Sequence, residues 1–244
     1  MFTEKVYFEK VNGKDIFCAL AEPEPNQKKM VIMSHGFRAS SIGPARTFVD
    51  FARILNKNGY STLRFDQANS GNSEGDYLDS SYNEWVNTIV YFVKKYINQG
   101  YKVALLGQSM GGAATVIAAS KLKSKVPCIL LWVPGVNEGD FKGKPDEIFE
   151  EGGQKYKGRF WMEARDADFF KCLNDYKGGI HLVYGEKDRY ISQELRNKVI
   201  DMVKAKEQQT KILKGQDHSP WEYDLCQEVY KEELELLNKY LHLL

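Results

Sequence analysis

Lys102-Val-Ala-Leu-Leu-Gly-Gln-Ser-Met-Gly-Gly-Ala-Ala-Thr-Val-Ile-Ala-Ala119 decides how this chain is read. Its first five residues are short, apolar and β-compatible, and Gly111 to Ala119 is a small-residue run suited to a helix packed closely on a sheet. Between them, Gly107-Gln-Ser-Met-Gly111 has Gly-x-Ser-x-Gly spacing on a strand-to-helix turn. A backbone that crosses so tightly needs neighbours without large side chains, and the turn projects the serine hydroxyl outward. The flanking strand and helix, more than the five-residue string, favour a nucleophile at Ser109 over a plain Gly/Ser turn.

Working outward, the rest of the chain alternates strands with helices. Two extended runs flank Asn12-Gly13 between residues 4 and 22, a dipeptide that favours a two-residue hairpin. Met30 to Met33 is a short apolar strand that runs into Ser34-His-Gly-Phe37. Phe48, Phe51, Ala52 and Leu55 are spaced as one face of a helix over about 44–58, closed by Asn58-Gly59. Tyr60 to Phe65 predicts a strand, a turn-rich loop follows from Asp66 to Gly75, and Trp85, Ile89, Phe92, Val93 and Tyr96 mark a helix over 82–98. Beyond the opening stretch, strands are expected at 127–132, 180–184 and 210–213, and helices at about 191–206 and 221–244. Alternation of this kind implies an α/β fold with a mostly parallel central sheet and helices on both faces. The whole chain, 1–244, reads as one domain.

One interval breaks the rhythm. Pro134 to Gly179 holds several glycines, Phe160-Trp161 and Phe169-Phe170, without a clear strand. It is longer than a simple strand-helix-strand unit needs, and predicts a small cap insertion at about 134–179; the other reading is an ordinary crossover helix with long loops.

Composition narrows the function classes. With 34 basic and 33 acidic residues the net charge is +1, which gives no electrostatic case for binding nucleic acid or an anionic membrane. Cys18, Cys128, Cys172 and Cys226 are scattered without Cys-x-x-Cys spacing and read as reduced residues of an intracellular protein, not a disulfide framework or zinc site. The start, Met-Phe-Thr-Glu-Lys, lacks an apolar signal core, and no run approaches the roughly 20 apolar residues of a membrane span. A cytoplasmic protein without stable membrane association is the expectation.

A serine hydroxyl needs a base, and the base needs an acid to hold its tautomer. Of four histidines, His35 follows the early strand, His181 falls inside an expected strand, and His242 ends the last helix. His218 alone lies in a polar loop, Gly215-Gln-Asp-His-Ser-Pro220, after the last strand. Asp188, in Gly185-Glu-Lys-Asp-Arg189 after the preceding strand, is the expected acid, with Glu186 and Asp217 as competitors. The order Ser, Asp, His is the order this architecture uses. Backbone N–H groups of Met110 and of Phe37 are placed to hold an oxyanion, the first aided by the helix dipole.

Together, Ser34-His-Gly-Phe37, Asp66 to Gly75, Gly107 to Gly112, Gly185-Glu-Lys-Asp188 and Gly215-Gln-Asp-His218 resemble the α/β-hydrolase fold family over nearly the whole chain. Within it, the size, the His-Gly-Phe loop and the insertion are most similar to bacterial carboxylesterases of the cinnamoyl or feruloyl esterase group. Those esterases often carry His before the nucleophile and Gln after it, where this chain has Gln108 and Met110. The resemblance implies a serine esterase acting on small carboxylic esters through an acyl-enzyme, with Ser109, His218 and Asp188 as triad and no metal or organic cofactor. It also implies a small cap that shapes the pocket. Expected substrate-binding residues are Phe37, Gln108, Phe141, Phe160 and Trp161. A monoacylglycerol lipase, a thioesterase or a small amidase would use the same triad. A non-catalytic ligand-binding protein on the hydrolase scaffold is the reading from another class. An exposed aromatic cap could serve as a homodimer surface.

Overall fold

Alternating short apolar runs and amphipathic segments give an eight-stranded sheet in the computed structural model, which describes residues 3–135 and 141–242. β1 (Glu4–Val11) and β2 (Lys14–Ala21) form the expected hairpin. Its two-residue loop has positive φ at both Asn12 (49°) and Gly13 (87°), as the right-handed twist of the flanking strands requires. Then come β3 (Lys29–Ser34), α1 (Thr47–Lys57), β4 (Ser61–Phe65), α2 (Tyr82–Asn98), β5 (Lys102–Gln108), α3 (Met110–Leu122) and β6 (Cys128–Trp132). The break in rhythm holds a two-stranded antiparallel sheet, β7 (Ile148–Glu151) and β8 (Gln154–Lys157), and two short helices, α4 (Arg159–Asp166) and α5 (Phe169–Asp175). β9 (Gly179–Gly185), α6 (Gln193–Lys204), β10 (Gln209–Leu213) and α7 (Tyr223–Leu241) complete the chain.

The strand order is β1-β2-β4-β3-β5-β6-β9-β10, antiparallel over the first three strands and parallel from β4 onward. Right-handed crossovers then dictate the layers. The step from β3 to β4 runs one way along the sheet and every later step runs the other way. α1 therefore covers one face, where α7 joins it, and α2, α3, α5 and α6 cover the opposite face. α3 is the central helix of its layer and is buried almost all round, which is why its residues are small rather than amphipathic.

Only part of the irregular interval stands apart from this layer. Phe169 and Leu173 belong to the main core, so α5 is the helix that covers the β6–β9 crossover. The β7–β8 hairpin is the element outside the sheet that the amino-acid pattern had not suggested. Residues 136–140, the start of the expected insertion, lie outside the described residues.

Burial also accounts for the cysteines. Cys18, Cys128 and Cys226 are buried free thiols and Cys172 is half-buried; burial pushes the Cys18 thiol up to about 12. Among the described residues, no helix is long and apolar enough to cross a membrane.

Registers place the candidate residues at one edge. Ser34 pairs with Gly107, Gln108 with Trp132, Trp132 with Val183, and Gly185 with Leu213. The loops after β3, β5, β9 and β10 thus leave the carboxyl ends of neighbouring parallel strands, where open α/β sheets bind ligands.

Candidate active site

Ser109 stands between β5 and α3 with φ 54° and ψ −127°. A non-glycine residue holds such a backbone only when its surroundings over-determine it, at a cost of about 1–3 kcal/mol. Its N–H donates to the Trp132 carbonyl (2.9 Å), and its carbonyl accepts from Gly112 (2.8 Å), Ala113 (3.1 Å) and Gly135 (2.8 Å). The glycines of the motif are demanded by close approach. A Cβ on Gly111 would collide with the carbonyls of Ser34 and His35, and one on Gly107 with Thr115 and the Gly111 carbonyl.

Asp188 follows β9 and is held by its own loop: Oδ1 accepts from the N–H groups of Tyr190 (2.9 Å) and Ile191 (3.0 Å). Its other oxygen, Oδ2, receives the Nδ1–H of His218 at 2.8 Å, with the carboxylate fully buried. The two competing acids are occupied elsewhere. Asp217 Oδ1 accepts the backbone N–H groups of His218 (2.7 Å) and Arg189 (3.1 Å), and its other oxygen pairs with the Arg189 guanidinium. Glu186 accepts the Gly215 N–H at 2.8 Å.

The loop after β3 is braced by His35, whose role the amino-acid pattern left blank. Its Nε2 accepts the Gln67 N–H (2.9 Å), so Nδ1 carries the proton and donates to the Gly36 carbonyl (2.8 Å). Complete burial outweighs the Gly36 carbonyl and the Asp66 charge, which favour the protonated ring, and keeps the imidazole below its usual range, hence neutral. Phe37 follows, its N–H without a carbonyl partner among the described residues. Met110 opens α3, where first-turn N–H groups have no acceptor within the helix.

A profile of the family described as "Serine aminopeptidase, S33" matches residues 25–150, just over half the chain, including the β3 loop and the serine turn. The chain belongs to this serine hydrolase family. No protein of curated function matches it in sequence. Among solved structures, Est1E from Butyrivibrio proteoclasticus with bound ferulic acid is 22% identical and superposes with a TM-score of 0.81 over 97% of this chain and 99% of that one. A monoacylglycerol lipase from Paleococcus ferrophilus is 17% identical, with a TM-score of 0.76 over 92% and 99%. A soluble variant of monoglyceride lipase from Saccharomyces cerevisiae, in complex with a substrate analogue, is 15% identical, with a TM-score of 0.78 over 98% and 97%. At these identities the likeness speaks for the fold, which is that of the α/β hydrolases.

In this S33 chain, Ser109, His218, Phe37 and Met110 line one cavity of about 400 Å³, within the range of small-molecule sites. Gln108, Ser219, Trp161, Tyr190 and Ile191 line it too, and Arg38 and Glu151 meet across it, guanidinium to carboxylate at 2.7 Å. Arg38, Glu151, Tyr190 and Ser219 were not anticipated. Two expected wall residues are absent from the described lining. Phe141 packs edge-on against Phe149 (5.1 Å), and Phe160 is fully buried among Phe37, Tyr82, Trp85 and Trp161 at centroid distances of 4.9–5.6 Å. Successive residues on α4 point about 100° apart, so Trp161 reaches the cavity while Phe160 anchors the helix to α2. Phe160→Ala is accordingly expected to cost about 3–5 kcal/mol of stability, read as a lower denaturant midpoint at unchanged slope; a wall residue would give almost no shift.

Behind the serine turn, Trp132 Nε1 donates to Glu233 Oε1 (2.6 Å), which also faces His181 Nδ1 (3.3 Å). Burial raises the Glu233 carboxyl. It also opposes charge on His181, but Glu233 and Glu232 outweigh it and raise that imidazole. This network ties α7 to β6 and β9 beneath the carbonyl that holds Ser109.

Proposed function

We propose that this protein is a carboxylesterase that hydrolyses small carboxylic esters, hydroxycinnamoyl esters among them, with Ser109 as nucleophile, His218 as base and Asp188 as its orienting acid. The reading is carried by one observation: His218 Nδ1–H donates to Asp188 Oδ2 at 2.8 Å while His218 lines the same cavity as a serine held at φ 54°. With Nδ1 protonated, Nε2 is free to take the Ser109 proton. Oγ then attacks the ester carbonyl carbon, and the carbonyl oxygen becomes an oxyanion received by the N–H groups of Met110 and Phe37. As that oxyanion collapses, the ester C–O bond breaks and His218 gives its proton to the departing alkoxide. Water, deprotonated by His218, attacks the acyl-enzyme and releases the acid with Ser109 restored.

The wall composition supports an ester over a peptide. An aminopeptidase must pair a substrate ammonium, and Glu151, the one carboxylate among the described lining residues, is already engaged by Arg38. Phe37 and Trp161 offer instead apolar aromatic walls, two rings 5.0 Å apart and tilted by 54°, which suit an aromatic or short aliphatic acyl group. The hairpin β7–β8 and α4 contribute Glu151 and Trp161 to the cavity wall and are read as a cap that sets acyl choice.

The test is initial hydrolysis rates for wild type and Ser109→Ala on p-nitrophenyl esters from two to twelve carbons, methyl ferulate, an acyl-CoA and an aminoacyl naphthylamide. Serine-dependent turnover that peaks on short chains or methyl ferulate is expected. A preference for the naphthylamide would replace the esterase reading with an aminopeptidase, and a preference for the longest chains would favour a lipase.

A further inference from the structure

Gln108 Nε2 donates to Ser219 Oγ at 2.9 Å, so the residue before Ser109 is hydrogen-bonded to the residue after His218. Gln108 ends β5, where its pairing with Trp132 fixes its backbone in the sheet, and it is only 4% exposed. The other end of its carboxamide, Oε1, is buried without a hydrogen-bond partner among the described residues. That oxygen abuts the β3 loop: a Cβ on Gly36 would stand 3.1 Å from it and 2.9 Å from Ser109 Cβ. One side chain thus touches the serine turn, the loop that precedes Phe37 and the His218 loop. If the carboxamide were turned end for end, Ser219 O–H would donate to it, and the tie would persist.

The other bonds on His218 do not do this job. Asp188 holds Nδ1 and Asp217 holds the backbone N–H, and both belong to the β9 and β10 loops. They fix the ring relative to Asp188 but not relative to β5. Among the described residues, the hydrogen bond that crosses from the serine turn to the His218 loop is Gln108 to Ser219; none joins Ser109 Oγ to His218 itself. A buried carboxamide with one end unsatisfied is a poor choice for stability alone, since an apolar side chain of like volume would avoid the desolvation cost.

We propose that Gln108 is a positioning residue, whose hydrogen bond to Ser219 sets the separation of Ser109 and His218 before substrate arrives. This rests on the nucleophile and base assignments above. The test compares wild type, Gln108→Met, Ser219→Ala, Ser219→Thr and the Gln108→Met/Ser219→Ala double variant. It measures turnover of p-nitrophenyl acetate, the rate of fluorophosphonate labelling of Ser109, and thermal unfolding. Gln108→Met and Ser219→Ala should each lower kcat and the labelling rate by about 10- to 100-fold through misplacement of the pair, with KM nearly unchanged. The double variant should fall no further than the worse single one, because both remove the same bond. Unfolding midpoints of Gln108→Met and of the double variant should stay at or above wild type, Ser219→Ala alone should unfold earlier because it leaves the buried Gln108 amide unpaired, and Ser219→Thr, which keeps the hydroxyl, should recover most of the rate.

Wild-type kcat in both single variants, additive losses in the double variant, or a Gln108→Met rate loss that comes with a lowered unfolding midpoint would overturn the proposal. Ser109→Ala separates this from failure of the functional reading. Turnover that survives Ser109→Ala removes the nucleophile assignment and the proposal with it. Turnover abolished by Ser109→Ala, alongside unimpaired Gln108→Met and Ser219→Ala, removes the proposal alone.

Discussion

Ser109→Ala is expected to lower kcat by roughly 10⁵- to 10⁶-fold and to leave the fold intact. The size follows from what the hydroxyl does. Without Oγ no acyl-enzyme can form, and His218 has no nucleophile to activate, so loss of the serine forfeits the contribution of the whole triad. The residual rate would come from ester binding and from the N–H groups of Met110 and Phe37, which alanine does not disturb. The fold should survive because the hydrogen bonds of this residue among the described residues are made by backbone: the N–H to Trp132 and the carbonyl to Gly112, Ala113 and Gly135. The strained φ of 54° is not relieved by alanine, which has the same Cβ, so unfolding midpoints of the two proteins should agree closely. Steady-state turnover with active-site titration of the wild type, to exclude carry-over, measures the ratio. A loss below a hundredfold would mean that ester cleavage does not pass through Ser109.

How much of this could be read beforehand depended on whether the signal was local. The parallel strands β3, β5, β6 and β9 are buried on both faces and therefore appear as plain apolar runs. α2 begins at Tyr82 because the Ser81 side chain caps the Glu84 N–H, and its apolar residues recur at helical spacing. Once those elements were assigned, strand-end position pointed to Ser109, His218 and the loop of Asp188 without tertiary information, and left Glu186 and Asp217 as competitors for the acid. The β7–β8 hairpin escaped because Ile148-Phe-Glu-Glu151 and Gln154-Lys-Tyr-Lys157 are short, charged and barely alternating. Its one cue was Gly152-Gly153, both at positive φ, a pair that suits a two-residue turn. Direction was the other missing quantity. Phe160 and Trp161 are equally aromatic neighbours, and only the packing of α4 on Tyr82 and Trp85 sends one into the core and the other to the cavity. His35 and Ser219 act through partners more than 30 residues away in the chain, Gln67 and Gln108, so no local pattern could have marked them.

Asp188→Asn is expected to reduce kcat by roughly 10⁴-fold, and the hydrogen bonds of the loop dictate why. Asp188 Oδ1 accepts two backbone N–H groups, from Tyr190 and Ile191. An asparagine here must keep its oxygen at that position, because turning the amide would set its NH₂ against both donors. Its NH₂ is then forced toward His218 Nδ1, at the place where Oδ2 now accepts. Facing a donor, Nδ1 must give up its proton, and the neutral imidazole carries it on Nε2 instead. That tautomer offers Ser109 an N–H in place of a lone pair, so the ring is oriented correctly and cannot act as a base. Asp217→Asn preserves the acceptor for the His218 and Arg189 N–H groups and loses only an ion pair to a guanidinium that is three-quarters exposed. Glu186→Gln likewise keeps an acceptor for Gly215. Both should stay within about threefold of wild type, as exposed charges contribute little. Turnover of one short p-nitrophenyl ester by the three variants orders them. Should Asp217→Asn or Glu186→Gln fall by orders of magnitude while Asp188→Asn stays near wild type, the acid that holds His218 during the reaction is not the one that holds it at rest.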